Sequence, residues 1–439
     1  MARRPLALAA VGALGLSLVL VVAFVVPSAR ASFGPLISRD APVFGNNLLR
    51  PVTYANDASY ANAVFCTTPC YIAIDLSSTP VGQALVAWYN VGNGWDHQLS
   101  GGAAYNLPSS YTIDANPASG GALPTTGWIT LASAADQHYN GRQFLLDLTG
   151  YHWVRMNVTA AVGGPAAFDL DVTDLRAVGN DSWFFGGDSI TSDGMTLDET
   201  YQGRQASSPN FMAQINAAIP SHFPSQLDGG VGGISATVAA GTYQWNGTRG
   251  GGHDYMRDWM AVAPSRYVTL SYGTNDVGEP VADFYQAMSI LVQDVLAAGR
   301  VPIVPTIPWR CNADVTPYNA QIVALYAAYP QVLRGPDLYA FFNANHSYIS
   351  GDCVHPTYPI GMNVYRQEWA QWAIANIYAA QPATTPAQTR TPTATATPVA
   401  TPTAPPTPAP TSIDGAPCTV TFPDGTIHSG TCTGTFTAR

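Results

Sequence analysis

Trp183-Phe184-Phe185-Gly186-Gly187-Asp188-Ser189-Ile190-Thr191 reads as an apolar strand that runs into a glycine turn and opens a helix. An uninterrupted apolar run of this kind suits a strand buried on both faces, as in a parallel sheet covered by helices. The same alternation continues downstream. Apolar runs at 267–272 and 301–307 flank a segment, 281–298, in which Phe284, Met288, Leu291 and Val295 recur at helical spacing and Gly299 supplies the stop. A second amphipathic segment spans 359–378, with Met362, Tyr365, Trp369, Trp372 and Ile377 on its apolar side. Residues 181–380 are therefore predicted to form an α/β domain around a parallel sheet.

Upstream the pattern changes. Residues 33–178 hold short β-rich runs at 71–76, 84–89, 128–131, 144–148, 153–158 and 168–172, separated by turn residues and without a convincing amphipathic helix. That predicts an antiparallel β-sandwich, an architecture used for carbohydrate binding and for structural support. Downstream, 381–412 is dominated by Thr, Pro and Ala, which cannot build a core and favours an extended spacer. The last stretch, 413–439, is too short for an ordinary core and is expected to be a hairpin closed by Cys418 and Cys432.

Composition narrows the function. The chain has 439 residues and a net charge of −10, with 18 basic against 28 acidic side chains, which argues against a nucleic-acid partner. All the basic residues are arginine, so Schiff-base lysine chemistry and a phosphate-binding P-loop are excluded. With 47% apolar and 10% charged residues, a large core is expected.

Arg3 and Arg4 precede an apolar run over 5–26, and Ala29-Arg30-Ala31 offers a small-x-small cleavage site. This predicts a signal peptide over 1–31 and a secreted, extracellular product; an uncleaved membrane anchor facing outside is the alternative. Beyond that segment lie six cysteines, an even number that suits disulfides in an exported chain. Sequence proximity pairs Cys66 with Cys70 and Cys418 with Cys432, leaving Cys311 for Cys353. The Cys66/Cys70 spacing could also serve zinc, but no second close Cys/His pair follows, so no metal is predicted.

Three further short stretches join the opening one. Gly230-Val231-Gly232-Gly233 permits close backbone approach to a ligand. Gly273-Thr274-Asn275-Asp276 closes the 267–272 strand, and Asp352-Cys353-Val354-His355-Pro356 precedes the last helix. A serine at a strand-to-helix turn sits at the carboxyl edge of a parallel sheet, where such folds place their sites. An Asp three residues before a His can fold back onto the imidazole Nδ1 and fix the tautomer that accepts a serine proton.

With these blocks in order, the chain resembles the SGNH (GDSL-type) hydrolase superfamily over about 181–380, and its N-terminal β-module resembles the arrangement of some carbohydrate esterases. The resemblance implies a three-layer α/β hydrolase domain with Ser189 as nucleophile, His355 as base and Asp352 as its orienter. It implies an oxyanion hole formed by the N–H groups of Ser189 and Gly233 and the side-chain amide of Asn275. The chain departs from the family by having Ile190 where the older motif expects leucine, and Asp228 where an asparagine often precedes the second block. Trp309, Arg310 and Trp245 follow sheet edges and are expected to border the substrate cleft. His253 and His346 are rival bases, each lacking an Asp three residues upstream.

The expected function is a secreted esterase that removes short acyl groups, acetyl included, from a polysaccharide or similar substrate, with no cofactor. A lipase-like or phospholipase-like acylhydrolase is the enzymatic alternative. The other class is a carbohydrate-binding or adhesion protein in which the hydrolase domain is vestigial.

Overall fold

The computed structural model describes residues 34–379 apart from 80, 91–94, 101–104, 199–204 and 243–252, together with strand residues 411–412, 416–421, 427–432 and 435–436. The expected leader over 1–31, Trp245 and nearly all of the Thr/Pro-rich stretch lie outside them. The chain divides into two compact units, Met1–Thr384 and Thr385–Arg439.

The first unit opens with two antiparallel sheets. Its strands are β1 (Val43–Gly45), β2 (Val64–Cys66), β3 (Cys70–Asp75), β4 (Gln83–Tyr89), β5 (Leu107–Asn116), β6 (Ile129–Ala134), β7 (Gly141–Asp147), β8 (Trp153–Val162) and β9 (Ala166–Asp174), with a short helix α1 (His97–Ser100) after β4. One sheet has the order β1-β3-β8-β5-β6 and the other β2-β9-β4-β7. Period-two patterning explains the pairing. Val154, Met156 and Val158 of β8 and Phe168, Leu170 and Val172 of β9 enter one buried cluster with Ile72, Val86, Trp88 and Ile113. The alternate residues of β9 are also buried. Asp171 accepts a hydrogen bond of 2.6 Å from the Tyr60 hydroxyl and lies 3.6 Å from the Arg39 guanidinium, so the acid side of the strand is paired rather than solvated.

The parallel sheet follows, with strands β10 (Ser182–Gly187), β11 (Ser225–Gly230), β12 (Tyr267–Ser271), β13 (Val301–Val304) and β14 (Leu333–Arg334) in the order β11-β10-β12-β13-β14. Its helices are α2 (Ser189–Gly194), α3 (Phe211–Ala218), α4 (Ala236–Ala239), α5 (Tyr255–Val262), α6 (Val281–Ala297), α7 (Thr316–Ala328), α8 (Leu338–Ala344) and α9 (Ile360–Ala373), the last running on into a wider turn over Ile374–Tyr378. They cover both faces. Trp259, Phe284, Leu291 and Ile322 pack on one side of the sheet, while Ile190, Phe211, Phe342 and Trp369 pack on the other. In such a sheet a crevice opens where neighbouring strands send the chain in opposite directions, here between the carboxyl ends of β10 and β12.

The expected domain junction near residue 180 is not a boundary in the core. Tyr60, Ala87, Tyr89, Trp95 and Tyr139 from the antiparallel part enter the same cluster as Phe184, Leu227 and Trp259 from the parallel part. Strand β4 shows why, since Val86 and Trp88 face the core between the two antiparallel sheets and Ala87 and Tyr89 face the parallel-sheet side. Both faces of the strand are therefore committed to packing.

The second unit carries β15 (Thr411–Ser412) paired with β18 (Thr435–Phe436), and β16 (Ala416–Thr421) paired antiparallel with β17 (Ile427–Cys432). The Cys418 and Cys432 side chains, and with them the expected bridge, lie outside the described residues. Among the described residues no helix is long and apolar enough to cross a membrane.

Candidate active site

The nucleophile candidate stands on a tight turn. A side chain at Gly187 would place its Cβ 2.1 Å from the Thr191 hydroxyl and 3.0 Å from the Ser271 carbonyl oxygen, so only glycine lets β10 turn into α2 here. Asp188 caps that helix by accepting the Ile190 N–H at 2.9 Å. Burial pushes the Asp188 carboxyl up to about 6, against hydrogen bonds from Ile190, Thr191 and Thr274 and the pull of His355. The next residue, Ser189, opens the helix.

His355 arrives from the other end of the domain. Ser189 Oγ lies 2.8 Å from His355 Nε2, and His355 Nδ1 lies 2.7 Å from Asp352 Oδ2. An ionised carboxylate can only accept, so Nδ1 carries the proton and Nε2 is left to accept the serine hydroxyl. Burial alone would raise the Asp352 carboxyl. Hydrogen bonds from the Ser350 hydroxyl, the Val354 N–H and both the ring and the backbone of His355 outweigh it and hold the group far below the usual carboxylate range.

The loop is fixed as well as charged. Ser350 N–H donates to the His355 carbonyl at 2.8 Å and Cys353 N–H to the Ser350 carbonyl at 2.9 Å. Cys353, with a φ of 65°, is disulfide-bonded to Cys311, which ties the loop to the segment after β13. The structure also bonds Cys66 to Cys70.

The other side of the crevice comes from two loops. Gly233 adopts a φ of 77° between β11 and α4, where a side chain would be strained. The Asn275 amide donates to the carbonyl of its neighbour Ile234 at 3.0 Å, and the Thr274 side chain hydrogen-bonds Asp188. Gly233 and Asn275 are thus drawn together beside the Ser189 turn.

No family model matches the chain, and no curated protein matches it. The solved structures to which the chain is similar, at low identity and TM-score, include the following. One is the Bacillus subtilis protein YXIM, 18% identical over 73% of this chain and 86% of that one, with a TM-score of 0.39. A carbohydrate esterase family 3 structure from Talaromyces cellulolyticus is 18% identical over 46% and 99%, with a TM-score of 0.35. Chitosan-binding module 2 of a chitosanase/glucanase from Paenibacillus sp. IK-5 is 15% identical over 31% and 98%, with a TM-score of 0.24.

The remaining candidates fall at different distances from this geometry. Arg310 Nη1 donates to the Thr274 carbonyl at 2.8 Å, which brings it to the edge of the crevice. Half-buried Trp309 stacks on His346 with 3.8 Å between ring centroids and 10° between planes, so His346 serves as a packing partner for the indole. His253 pairs with Asp258 on the exposed side of α5. Trp245 lies outside the described residues. Among those residues no group of three His, Cys, Asp or Glu side chains could hold a metal ion.

Two residues matter to the geometry beyond those assigned from sequence. Asp276 accepts the N–H groups of Ala236 at 3.0 Å and Thr237 at 3.3 Å, tying α4 and the Gly233 loop to the end of β12. Its signal was its place beside Asn275, but only the fold shows what its carboxylate holds. The other is Trp95, whose link to residues more than a hundred positions away leaves no local pattern to read.

Proposed function

We propose that the chain is a secreted serine esterase that hydrolyses short acyl esters, acetyl in the first place, carried on a polysaccharide. The observation that carries this reading is the chain of contacts from Ser189 Oγ to His355 Nε2 at 2.8 Å and from His355 Nδ1 to Asp352 at 2.7 Å. Ser189 attacks the ester carbonyl as His355 takes its proton. The oxyanion that forms is held by the N–H groups of Ser189 and Gly233 and by the Asn275 amide. His355, now an imidazolium stabilised by Asp352, protonates the departing alkoxide. A water molecule then repeats the sequence on the acyl-enzyme and releases the acid.

The alcohol portion would meet Trp309 and Arg310, an aromatic face and a guanidinium suited to a sugar ring. The two-sheet unit is read as a β-sandwich module of the same enzyme. The two disulfides fit an oxidising compartment.

The test is hydrolysis of p-nitrophenyl esters from acetate to palmitate, followed by acetate release from acetylated polysaccharides, with Ser189→Ala as control. Activity on acetate and butyrate that is lost in Ser189→Ala is the expected result. Preference for palmitate would overturn the short-acyl assignment, and full activity in Ser189→Ala would overturn the mechanism.

A further inference from the structure

We propose that Trp95, from the antiparallel part of the fold, is a positioning residue for the loop that carries Gly233. The inference rests on the esterase reading above, in which the Gly233 N–H is an oxyanion donor. The observation behind it is one peptide group clamped from two sides. The carbonyl of Gly230, the last residue of β11, accepts the Trp95 main-chain N–H at 3.2 Å, while the N–H of the following Val231 donates to the Gly187 carbonyl at 2.9 Å. One side of the clamp is therefore the turn that holds Ser189, and the other is a residue from outside the parallel sheet.

Strand β11 is the edge of that sheet, so its outward carbonyls have no sixth strand to meet. Trp95 fills the role at the position nearest the site. Its own placement is heavily determined. The indole N–H donates to the Gly141 carbonyl at 3.2 Å, and the ring stacks on Tyr139 at 4.3 Å. It also meets Phe184 of β10 edge-on at 4.8 Å and Trp259 of α5 at 5.9 Å. Asp96, the next residue, accepts the Trp259 indole N–H at 2.9 Å, which closes the arrangement around α5. Gly230 packs its backbone directly on the nucleophile turn, where a Cβ would lie 2.2 Å from the Ser192 nitrogen. The orientation of the peptide entering the Gly233 loop is thus set by the Trp95 N–H against a fixed nucleophile turn. A small rotation at this point swings the Gly233 N–H away from the oxyanion, and misplacements of about 1 Å cost on the order of 100-fold in rate.

The experiment compares Trp95→Ala, Trp95→Leu and Trp95→Phe with wild type on p-nitrophenyl acetate, with Ser189→Ala and fluorophosphonate labelling of Ser189 as independent checks on the esterase reading. Trp95→Ala is expected to lower kcat by about 10- to 100-fold with KM changed by less than about threefold, and Trp95→Phe to recover most of the loss. Combined with Asn275→Ala, the loss should be smaller than the product of the single losses, because both act on one oxyanion hole. Wild-type kcat in folded Trp95→Ala, or losses that multiply independently, would overturn the inference while leaving Ser189 as nucleophile. Trp95→Leu, which keeps the slot filled, carries the same expectation if the alanine variant does not fold. Amide hydrogen exchange in the wild type reads the clamp without substitution. The Trp95 and Val231 amides should exchange at matching rates, and a Trp95 amide that exchanges orders of magnitude faster would also overturn it.

Discussion

His355 gives Asp352 two hydrogen bonds, one from ring Nδ1 to Oδ2 at 2.7 Å and one from its own backbone N–H to Oδ1 at 3.0 Å. A three-residue separation makes both possible, because the carboxylate folds back over its own turn before the ring reaches it. The same short loop therefore orients the imidazole and anchors its carboxylate. Asp352→Asn keeps the side-chain size but replaces one acceptor oxygen by an NH₂ group that faces a donor. The expected result is a fall in kcat of about 10³- to 10⁴-fold, read from steady-state kinetics on a short-chain ester. A loss below tenfold would mean that the imidazole is oriented by something else. Because the folded Asp352 carboxyl is depressed, the stability it contributes is present above the unfolded carboxyl value of about 3.9 and disappears as pH falls through the folded one. The Asp352 side chain is 47% exposed, so added salt should weaken that contribution.

Asn275→Ala removes an amide that also grips the Ile234 carbonyl at 3.0 Å. The expected loss in kcat is about 10²- to 10³-fold, with a shift in folding stability of only about 1 kcal/mol for one hydrogen bond. Asn275→Asp should be at least as damaging, since a carboxylate would repel both the Ile234 carbonyl and the developing oxyanion. Thermal unfolding alongside kinetics separates the two effects, and an alanine variant that keeps its rate would remove Asn275 from the hole.

Much of this arrangement was legible before the fold was known, and the reasons are local. Strands β10, β12 and β13 show as apolar runs because they are buried on both faces, and α6 shows as a 3.6-residue stripe. The Asp352-x-x-His355 turn could be read because its geometry is decided within four residues. Strand β11, Ser-Gln-Leu-Asp-Gly-Gly, carries no apolar signal. It is an edge strand whose pairing comes from β10 on one side and whose cover comes from Trp95 and Gln143 on the other, the Gln143 amide donating to the Ser225 carbonyl at 3.3 Å. The junction near 180 was invisible for a related reason. The uninterrupted apolar run along β4 shows that both faces are occupied, but nothing in the sequence says that Tyr89 packs against residues beyond 180. Its hydroxyl lies 2.7 Å from Ser225 Oγ across that junction.

The Cys311–Cys353 disulfide closes a sequence separation of 42 residues and pins the loop that carries Asp352 and His355. Cross-linking a loop of that length restrains the unfolded chain by up to about 4 kcal/mol. Activity should suffer too, because Cys353 sits between Asp352 and His355 and its N–H and carbonyl help to define the turn. Cys311→Ser with Cys353→Ser, or titration with a thiol reductant, is expected to lower the unfolding temperature and kcat together. Full kcat in the reduced protein, assayed well below its unfolding temperature, would show that the turn holds its shape unaided.

The last prediction concerns pH and Asp276. Burial raises its carboxyl to about 7, against hydrogen bonds from the Ala236 and Thr237 N–H groups and with the Asp188 and Glu279 charges pushing it further up. An unfolded carboxyl titrates at about 3.9. Between those values the folded chain holds a proton that the unfolded chain has released. The stability this proton supplies is complete below about pH 4 and is lost as pH rises through about 7. Asp188, raised by burial to about 6, acts in the same direction. His138 acts in the opposite one, because burial lowers its imidazole and folding there disfavours the proton. The informative quantity is therefore the difference between wild type and Asp276→Asn across a pH series of thermal unfolding curves. Wild type should lose stability more steeply from pH 5 to pH 8 than the variant, which has no carboxyl to ionise at that position. Parallel curves would exclude Asp276 as the titrating group. The variant should also lose kcat at every pH, because an asparagine offers one acceptor oxygen to two N–H donors and leaves the Gly233 loop less firmly tied to β12.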